Sequence, residues 1–334
     1  MDIFNWIEEN FSPQYFSSDQ FIYEDMQSQS GYSLPLIYIP FSRNEISHWS
    51  DRGTILDFLS ATEGDGKTLL DFGPGDGWPS LPLASFARKV IGLDASLRRV
   101  EVCVQNARRL GIENAEFKFY DPDTNLPFPD EYFDGATAAS SIEQTPEPRK
   151  TLKELQRVLK PGGKLRFSYE SLERYRDGKE KDFFILNLRE NRSKLVLFDR
   201  KIDEEQVIQY AITFTLPGEK VFAMFHPDSD EMSFDKISPK ILERLVPDII
   251  GIQKCKTFHP GGKTFHRWLQ EAGFKEAQMT RAGKEAAREI FLQLSDKERP
   301  LTLEAIDRLL LPAVREIITI PAFPGTDSML TAIK

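Results

Sequence analysis

The residues best suited to chemistry form one short run, Asp71-Phe72-Gly73-Pro74-Gly75-Asp76-Gly77. Three glycines at alternate positions let a backbone bend tightly and approach a ligand that a Cβ would push away. A dinucleotide turn wants its glycines at relative positions one, three and six. Here they fall at one, three and five, and Trp78 takes the sixth place. An acidic residue stands two before the first glycine, and a second, Asp94, ends the next apolar run. Further on, Tyr120-Asp121-Pro122 closes a third run and Ser140-Ser141-Ile142-Glu143 follows a fourth.

Such residues need elements to hold them. Five short apolar runs, starting at Thr68, Lys89, Ala115, Tyr132 and Lys164, alternate with amphipathic stretches. That alternation predicts βα units around a parallel sheet. The helix after the second run carries Val100, Cys103, Val104, Ala107 and Leu110 on one face, with Gly111 placed to cap it. The next carries Leu152, Leu155, Val158 and Leu159 and stops at Lys160-Pro161-Gly162-Gly163. Beyond residue 172 the character changes. Charges crowd 173–201, Gln206 to Thr215 alternates as a strand does, Leu216 to Glu219 reads as a turn, and Lys220 to Phe225 reads as a further strand. This predicts a small antiparallel sheet inserted into the α/β core. A short helix on Phe265, Trp268, Leu269 and Ala272 follows, then mostly helix over 282–320, broken near Pro300 and Pro312. The organisation expected is a cap over 1–66, a core over 67–171, an insertion over 172–258, and the rest of the core sheet with C-terminal helices over 259–334.

Composition narrows the function. The chain has 334 residues, 40% hydrophobic and 28% charged, which suits an ordinary globular protein. Lys plus Arg is 43 against 52 for Asp plus Glu, a net charge of −9, which argues against a general nucleic-acid binder. No apolar run approaches the roughly 20 residues of a membrane span, and the acidic start lacks the basic, apolar pattern of a signal peptide. Two cysteines and four histidines are too few for a disulfide scaffold or a His-rich metal site. No metal is expected, and a reducing cytoplasm is the expected setting. His226 and His259 precede prolines and read as surface-loop residues. His266 and Cys103 read as packing. The number that stands out is 25 Phe.

Taken in order, these features resemble the class I S-adenosylmethionine-dependent methyltransferases, and within them the type 11, quinone-ring C-methyltransferase-like branch. The Asp-x-Gly-x-Gly-x-Gly turn is similar to that family's first motif. Asp94 in Ile91-Gly92-Leu93-Asp94-Ala95 matches its ribose-binding acid. Tyr120-Asp121-Pro122 matches its adenine-contacting position, with Asp123 as a competitor. Leu126 to Asp134, Leu155 to Gly163 and Glu271-Ala272-Gly273-Phe274 match the segments before its fourth, fifth and sixth strands. The resemblance covers about 67–170 and 262–280. It implies a Rossmann-like, seven-stranded sheet with helices on both faces. It implies S-adenosyl-L-methionine as cofactor, held by Asp71, Gly73, Pro74, Gly75, Gly77, Asp94, Ala95, Tyr120, Asp121, Pro122 and Ser140. Glu143 is the candidate catalytic base.

Methyl transfer from a sulfonium needs alignment and exclusion of water, and needs a base only when the acceptor must lose a proton. The lack of a catalytic triad is therefore no objection. The expected acceptor is a small molecule, apolar or aromatic, under a lid made by the Phe-rich insertion, which is also a candidate homodimer surface. The alternatives are a protein methyltransferase that docks substrate on the insertion, and a non-catalytic protein that only binds the cofactor.

Overall fold

The computed structural model describes residues 2–18, 41–226, 233–323 and 328–334. Its elements run α1 (Ile3–Asn10), β1 (Gln14–Phe16), α2 (Ile46–Ala61), β2 (Thr68–Phe72), α3 (Ser80–Leu83), β3 (Lys89–Asp94), α4 (Leu97–Leu110), β4 (Ala115–Phe119) and β5 (Phe133–Ala139). They continue with α5 (Pro148–Val158), β6 (Leu159–Ser168), β7 (Lys181–Leu188), β8 (Arg192–Lys201), β9 (Gln206–Phe214), α6 (Gly218–Phe225), α7 (Pro239–Leu245) and β10 (Ile249–Phe258). Last come α8 (Gly262–Glu271), β11 (Glu276–Arg281), α9 (Gly283–Gln293), α10 (Leu303–Ile317) and β12 (Ser328–Ile333).

These elements divide between two compact units. The larger takes in 41–143, Glu147–Glu170 and Gly261–Lys334. The smaller takes in 2–18, Gln144–Pro146 and Ser171–Pro260. The segment 1–66 is thus shared, with α1 and β1 in the smaller unit and α2 in the larger.

The larger unit is built on a seven-stranded sheet of order β11-β12-β6-β5-β2-β3-β4. Strands β4, β3, β2, β5 and β6 run parallel, and β12 and β11 close the edge antiparallel. Parallel strands are buried on both faces, which is why β2 reads as an unbroken apolar run around Asp71. One face packs Leu152, Leu155 and Val158 of α5 with Phe265 and Leu269 of α8. The other packs Trp49, Ile55, Phe58 and Leu59 of α2 with Ala287 of α9 and Leu310 and Val314 of α10. Beneath that layer lies a buried ion pair. Arg166 of β6 forks onto Asp57 of α2, with Nε–Oδ1 at 2.7 Å and Nη2–Oδ2 at 3.0 Å. Thr280 and Thr331 accept from its other nitrogen at 2.7 and 2.9 Å, so every arm of the guanidinium is engaged.

The smaller unit is a five-stranded sheet of order β1-β10-β9-β8-β7. It is not wholly antiparallel as expected, because β1 pairs parallel to β10. Leu195, Leu197, Tyr210, Ile212 and Phe214 pack on one of its faces against Ile3, Phe4 and Ile7 of α1. The segment Lys220–Phe225 is helical rather than extended. Val221 and Phe225, four apart, are its buried pair, and that helical spacing outweighs the local β-propensity. Pro312 lies within α10 and does not break it, contrary to expectation. Its ring is exposed, so the carbonyl left without a donor is on the solvent side.

Candidate functional site

The glycine turn follows β2 at the carboxyl ends of the parallel strands, where open α/β sheets place their ligands. All three glycines have positive φ: 73° at Gly73, 57° at Gly75 and 106° at Gly77. Two of them answer to packing as well. A Cβ on Gly73 would lie 2.4 Å from Cβ of Ser141, and one on Gly77 would meet Leu81 at 2.5 Å. A Cβ on Gly75 would meet nothing within 4 Å. The bend at Gly75 therefore faces open space.

Helix α4 secures the turn from one side. Arg99 pairs with Asp76, Cys103 Sγ contacts the carbonyl of Gly75 at 3.2 Å, and Asn106 Nδ2 donates to the carbonyl of Asp76 at 2.8 Å. These residues sit four and three apart and so share one helical face. The buried face of α4 is Val102, Cys103, Asn106 and Ala107, turned from the one expected. Asn106 belongs to that face although an amide does not read as core in sequence. Cys103 is core as expected, and burial followed by the fields of Asp94, Asp71 and Asp76 pushes its thiol well above the ordinary range.

Asp71 is fully buried beneath the turn. Its oxygens accept from Ser80 Oγ at 2.5 Å and Thr137 Oγ1 at 3.2 Å. Burial pushes its carboxyl up to about 7 despite those hydrogen bonds. Asp94 ends β3, where its Oδ1 accepts from the N–H of Ser96 at 2.9 Å and its Oδ2 faces the N–H of Gly75 at 3.4 Å. Burial raises its carboxyl too, opposed first by the Ser96 N–H. Asp71, Asp76 and Asp94 give the turn an acidic surround, tempered by Arg99.

The other sequence candidates are placed as follows. Ala95 packs at the margin of the α5/α8 core. Tyr120 is buried, its ring 5.6 Å from Phe72 and its hydroxyl pushed above its ordinary range by burial. Asp121 is exposed, and its Oδ1 accepts from the N–H of Asp123 at 3.0 Å, capping its own loop. Pro122 is half-buried. Ser140 holds a φ of 52° at the end of β5, with its Oγ 3.3 Å from Ser168 Oγ. Such a φ is uncommon outside glycine and marks a constrained strand end. Glu143 is fully buried and accepts from the N–H of Glu170 at 2.8 Å, tying the segments that follow β5 and β6.

The histidines depart from expectation. His226 is buried between the rings of Phe222 and Phe183, at 4.6 and 5.8 Å, because its flat ring completes an aromatic stack. His259 is buried as well. His266 sits on α8 with its ring 3.1 Å from the carbonyl of Ala277, in the packing role expected. Among the described residues no cluster of His, Cys, Asp and Glu could hold a metal ion, and no helix is long and apolar enough to cross a membrane.

A cavity of about 610 Å³ opens beside the turn. Gly73 to Gly77 and Ala139 form one wall, and Phe41, Arg52, Trp78 and Leu303 another. Sequence reasoning missed that second wall. Arg52 is buried and forks onto Asp307, with Nη2–Oδ2 at 2.5 Å, while its guanidinium lies 5.1 Å over the ring of Phe86. Nothing local in either segment announces a pairing that spans 255 residues.

A parallel sheet of this order, with a glycine turn after its central strand and an acid ending the next, defines a nucleoside-binding α/β domain. Comparison with known proteins makes the class specific. Residues 70–167 match the family described as "Methyltransferase domain". A demethylmenaquinone methyltransferase of Clavibacter sepedonicus is 42% identical over 101 residues, covering 30% of this chain and 40% of that protein. A ubiquinone/menaquinone biosynthesis C-methyltransferase of Rickettsia massiliae is 32% identical over 143 residues, covering 41% of this chain and 54% of that protein. The chain thus spans only about half, or less, of the length of these relatives. Among solved structures, a S-adenosylmethionine-dependent methyltransferase from Clostridium acetobutylicum has a TM-score of 0.49 at 12% identity, covering 87% of this chain and 92% of that one. Over residues 70–167 the chain is thus similar to the class I S-adenosylmethionine-dependent methyltransferases of the type 11 branch.

Proposed function

We propose that the protein transfers a methyl group from S-adenosyl-L-methionine to a small acceptor by in-line displacement. The observation that carries this reading is the open bend at Gly75, whose N–H faces Oδ2 of Asp94 at 3.4 Å, with Asp76 next to it in the chain. When bound, the cofactor supplies a methyl group already activated by a positively charged sulfur. An acidic surround suits that cation better than the neutral thioether left after transfer, which favours release of the spent form.

In this reading Asp94 accepts from the ribose hydroxyls, and Tyr120, Asp121 and Pro122 border the base. Gly73, Pro74, Gly75 and Gly77 bring bare backbone against the ligand, with Ala95 and Ser140 beside it. Asp71 braces the turn from below. Glu143 is the base for an acceptor that carries a proton. Its Oε1 accepts from the Glu170 N–H at 2.8 Å, which fixes the carboxyl in place. The acceptor is an apolar or aromatic small molecule. The quinone-ring precursors named for the relatives are instances of that chemistry, as is the sterol of the Caenorhabditis elegans relative called a sterol 4-C-methyltransferase.

Calorimetry tests the reading. Titration with S-adenosylmethionine should give saturable heat, and Asp94→Ala should weaken binding by about 100-fold, as expected when charged hydrogen bonds are removed. Absence of heat, or equal affinity in the variant, would refute it. A labelled-methyl screen against extract, split into protein and metabolite fractions, would then identify the acceptor class.

A further inference from the structure

A second cavity, of about 780 Å³, lies in the larger unit. Asp65, just before β2, and Phe86, just before β3, mark one end of it. It thus opens at the amino ends of the parallel strands, whereas the glycine turn follows β2 at the carboxyl end. Helix α10 forms its long wall, from Glu304 to Ile318 just past the last turn. At 1.5 Å per residue that wall is about 21 Å long. The volume is that of a small-molecule site. Spread along such a wall, it suits one extended chain better than a broad ring system.

The lining gives that chain its chemistry. Phe86, Leu311, Ile318 and Ile333 are each half-buried, so each presents apolar surface to the space. Charges near the Phe86 end are mostly paired. Asp307 holds Arg52, whose guanidinium lies over the Phe86 ring, and Glu304 lies 3.8 Å from Arg308. Asp65 is exposed at the rim, where solvent and salt screen it.

The other end differs. The chain leaving α10 pairs with β11 through Pro321 and Thr280, which sets Arg315 and Ile318 at the side nearest β11 and β12. Lys164 on that side is held by Glu63 at 2.6 Å. Arg315 is exposed and has neither an ion pair nor a hydrogen bond among the described residues. The exposed amide of Gln278, cross-strand from Thr331, is likewise without a partner among them. Thr331 Oγ1 accepts from Arg166, which leaves its own hydrogen to donate. A guanidinium on a long apolar stem, set at the end of an apolar bore, is matched to a carboxylate that carries a chain.

We propose that this cavity binds a medium-chain aliphatic carboxylate. The carboxylate sits on Arg315, with the Gln278 amide and the Thr331 hydroxyl on the same side, and the chain runs along Leu311 toward Phe86. The site is separate from the glycine turn and does not depend on the methyltransferase reading.

The test titrates the full chain by calorimetry, without S-adenosylmethionine, against octanoate, octan-1-ol and octyltrimethylammonium, which share one chain and differ in the head. Octanoate should bind saturably and at least about tenfold more tightly than the other two. Arg315→Gln, at an exposed and unpaired position, should remove that advantage and hold the alcohol within about twofold of its wild-type affinity. Ile318→Asn should weaken octanoate and the alcohol together, by at least about fivefold. Absence of saturable heat with octanoate overturns the proposal, as does equal or tighter binding of the alcohol or the cation, and neither result depends on a variant folding. Unchanged octanoate affinity in Arg315→Gln also overturns it. Unchanged affinity in Ile318→Asn would put the chain elsewhere on the protein and overturns it too.

Discussion

Asp71 offers the sharpest quantitative test, because its carboxyl is fully buried and ionises at about 7 in the fold against 3.8 as the ordinary value. The folded protein therefore keeps this proton at pH values where the unfolded chain has released it. Stability contributed by the neutral acid is present below the unfolded value and declines as pH rises from there to about 7. At about 1.36 kcal/mol per pH unit, the interval corresponds to about 4 kcal/mol lost by mildly alkaline pH. Asp71→Asn cannot ionise, and its amide can still pair with the hydroxyls of Ser80 and Thr137. Guanidinium unfolding of both proteins from about pH 5 to about pH 8.5 isolates the effect, since all other titrations cancel in the difference. The variant should gain roughly 2–4 kcal/mol on the wild type across that range. Two parallel stability curves would refute the reasoning, because they would mean that Asp71 ionises in the fold as it does in water.

Further outcomes follow from the same geometry. Gly73→Ala forces a Cβ to 2.4 Å from Ser141 and should cost at least about 2 kcal/mol in chemical unfolding. Gly75→Ala meets only open space, so it should cost about 1 kcal/mol for its positive φ yet weaken S-adenosylmethionine by about tenfold in calorimetry. Arg166→Met leaves Asp57 buried and unpaired, and unfolding should show a loss of about 3–5 kcal/mol, with less than about 1 kcal/mol counting against the pair. Glu143→Gln retains an oxygen for the Glu170 N–H, so it should fold normally and bind cofactor normally. Its methyl-transfer rate should fall about 100-fold, and an unchanged rate would remove Glu143 from the proton step.

The core strands were legible because a parallel strand buried on both faces must be apolar throughout, and a glycine or Pro-Gly break then marks its end. Thr68–Phe72 and Lys89–Asp94 are found where the pattern puts them. Strands β7 and β8 were hidden for the opposite reason. Arg192–Lys201 carries charge at Arg192, Lys194, Asp199, Arg200 and Lys201, yet Lys194 and Arg200 are almost wholly buried. A charge that finds a partner in the fold, as Lys194 finds Gln253 Oε1 at 2.7 Å, looks like a solvated one in sequence. Helix α6 reads as a strand in sequence because Val221, Phe222 and Phe225 satisfy a strand's composition while their spacing satisfies a helix.

The site divides along the same line. The bend itself is local, so glycine spacing and the acids that flank it announce it. What surrounds the bend is not local: Arg52 reaches Asp307, and Asn106 reaches the carbonyl of Asp76. Pro79 and Pro82 stand on either side of Ser80 and Leu81, and a proline removes a donor and clashes with the preceding turn of a helix. Helix α3 accordingly begins no earlier than Ser80, and the cavity lies beside it. Trp78, the residue that spoils the dinucleotide pattern, is among those that line the cavity. The departure from the commoner glycine motif and the cavity beside the turn therefore meet in Trp78-Pro79-Ser80-Leu81-Pro82, of which Trp78, Leu81 and Pro82 line the wall.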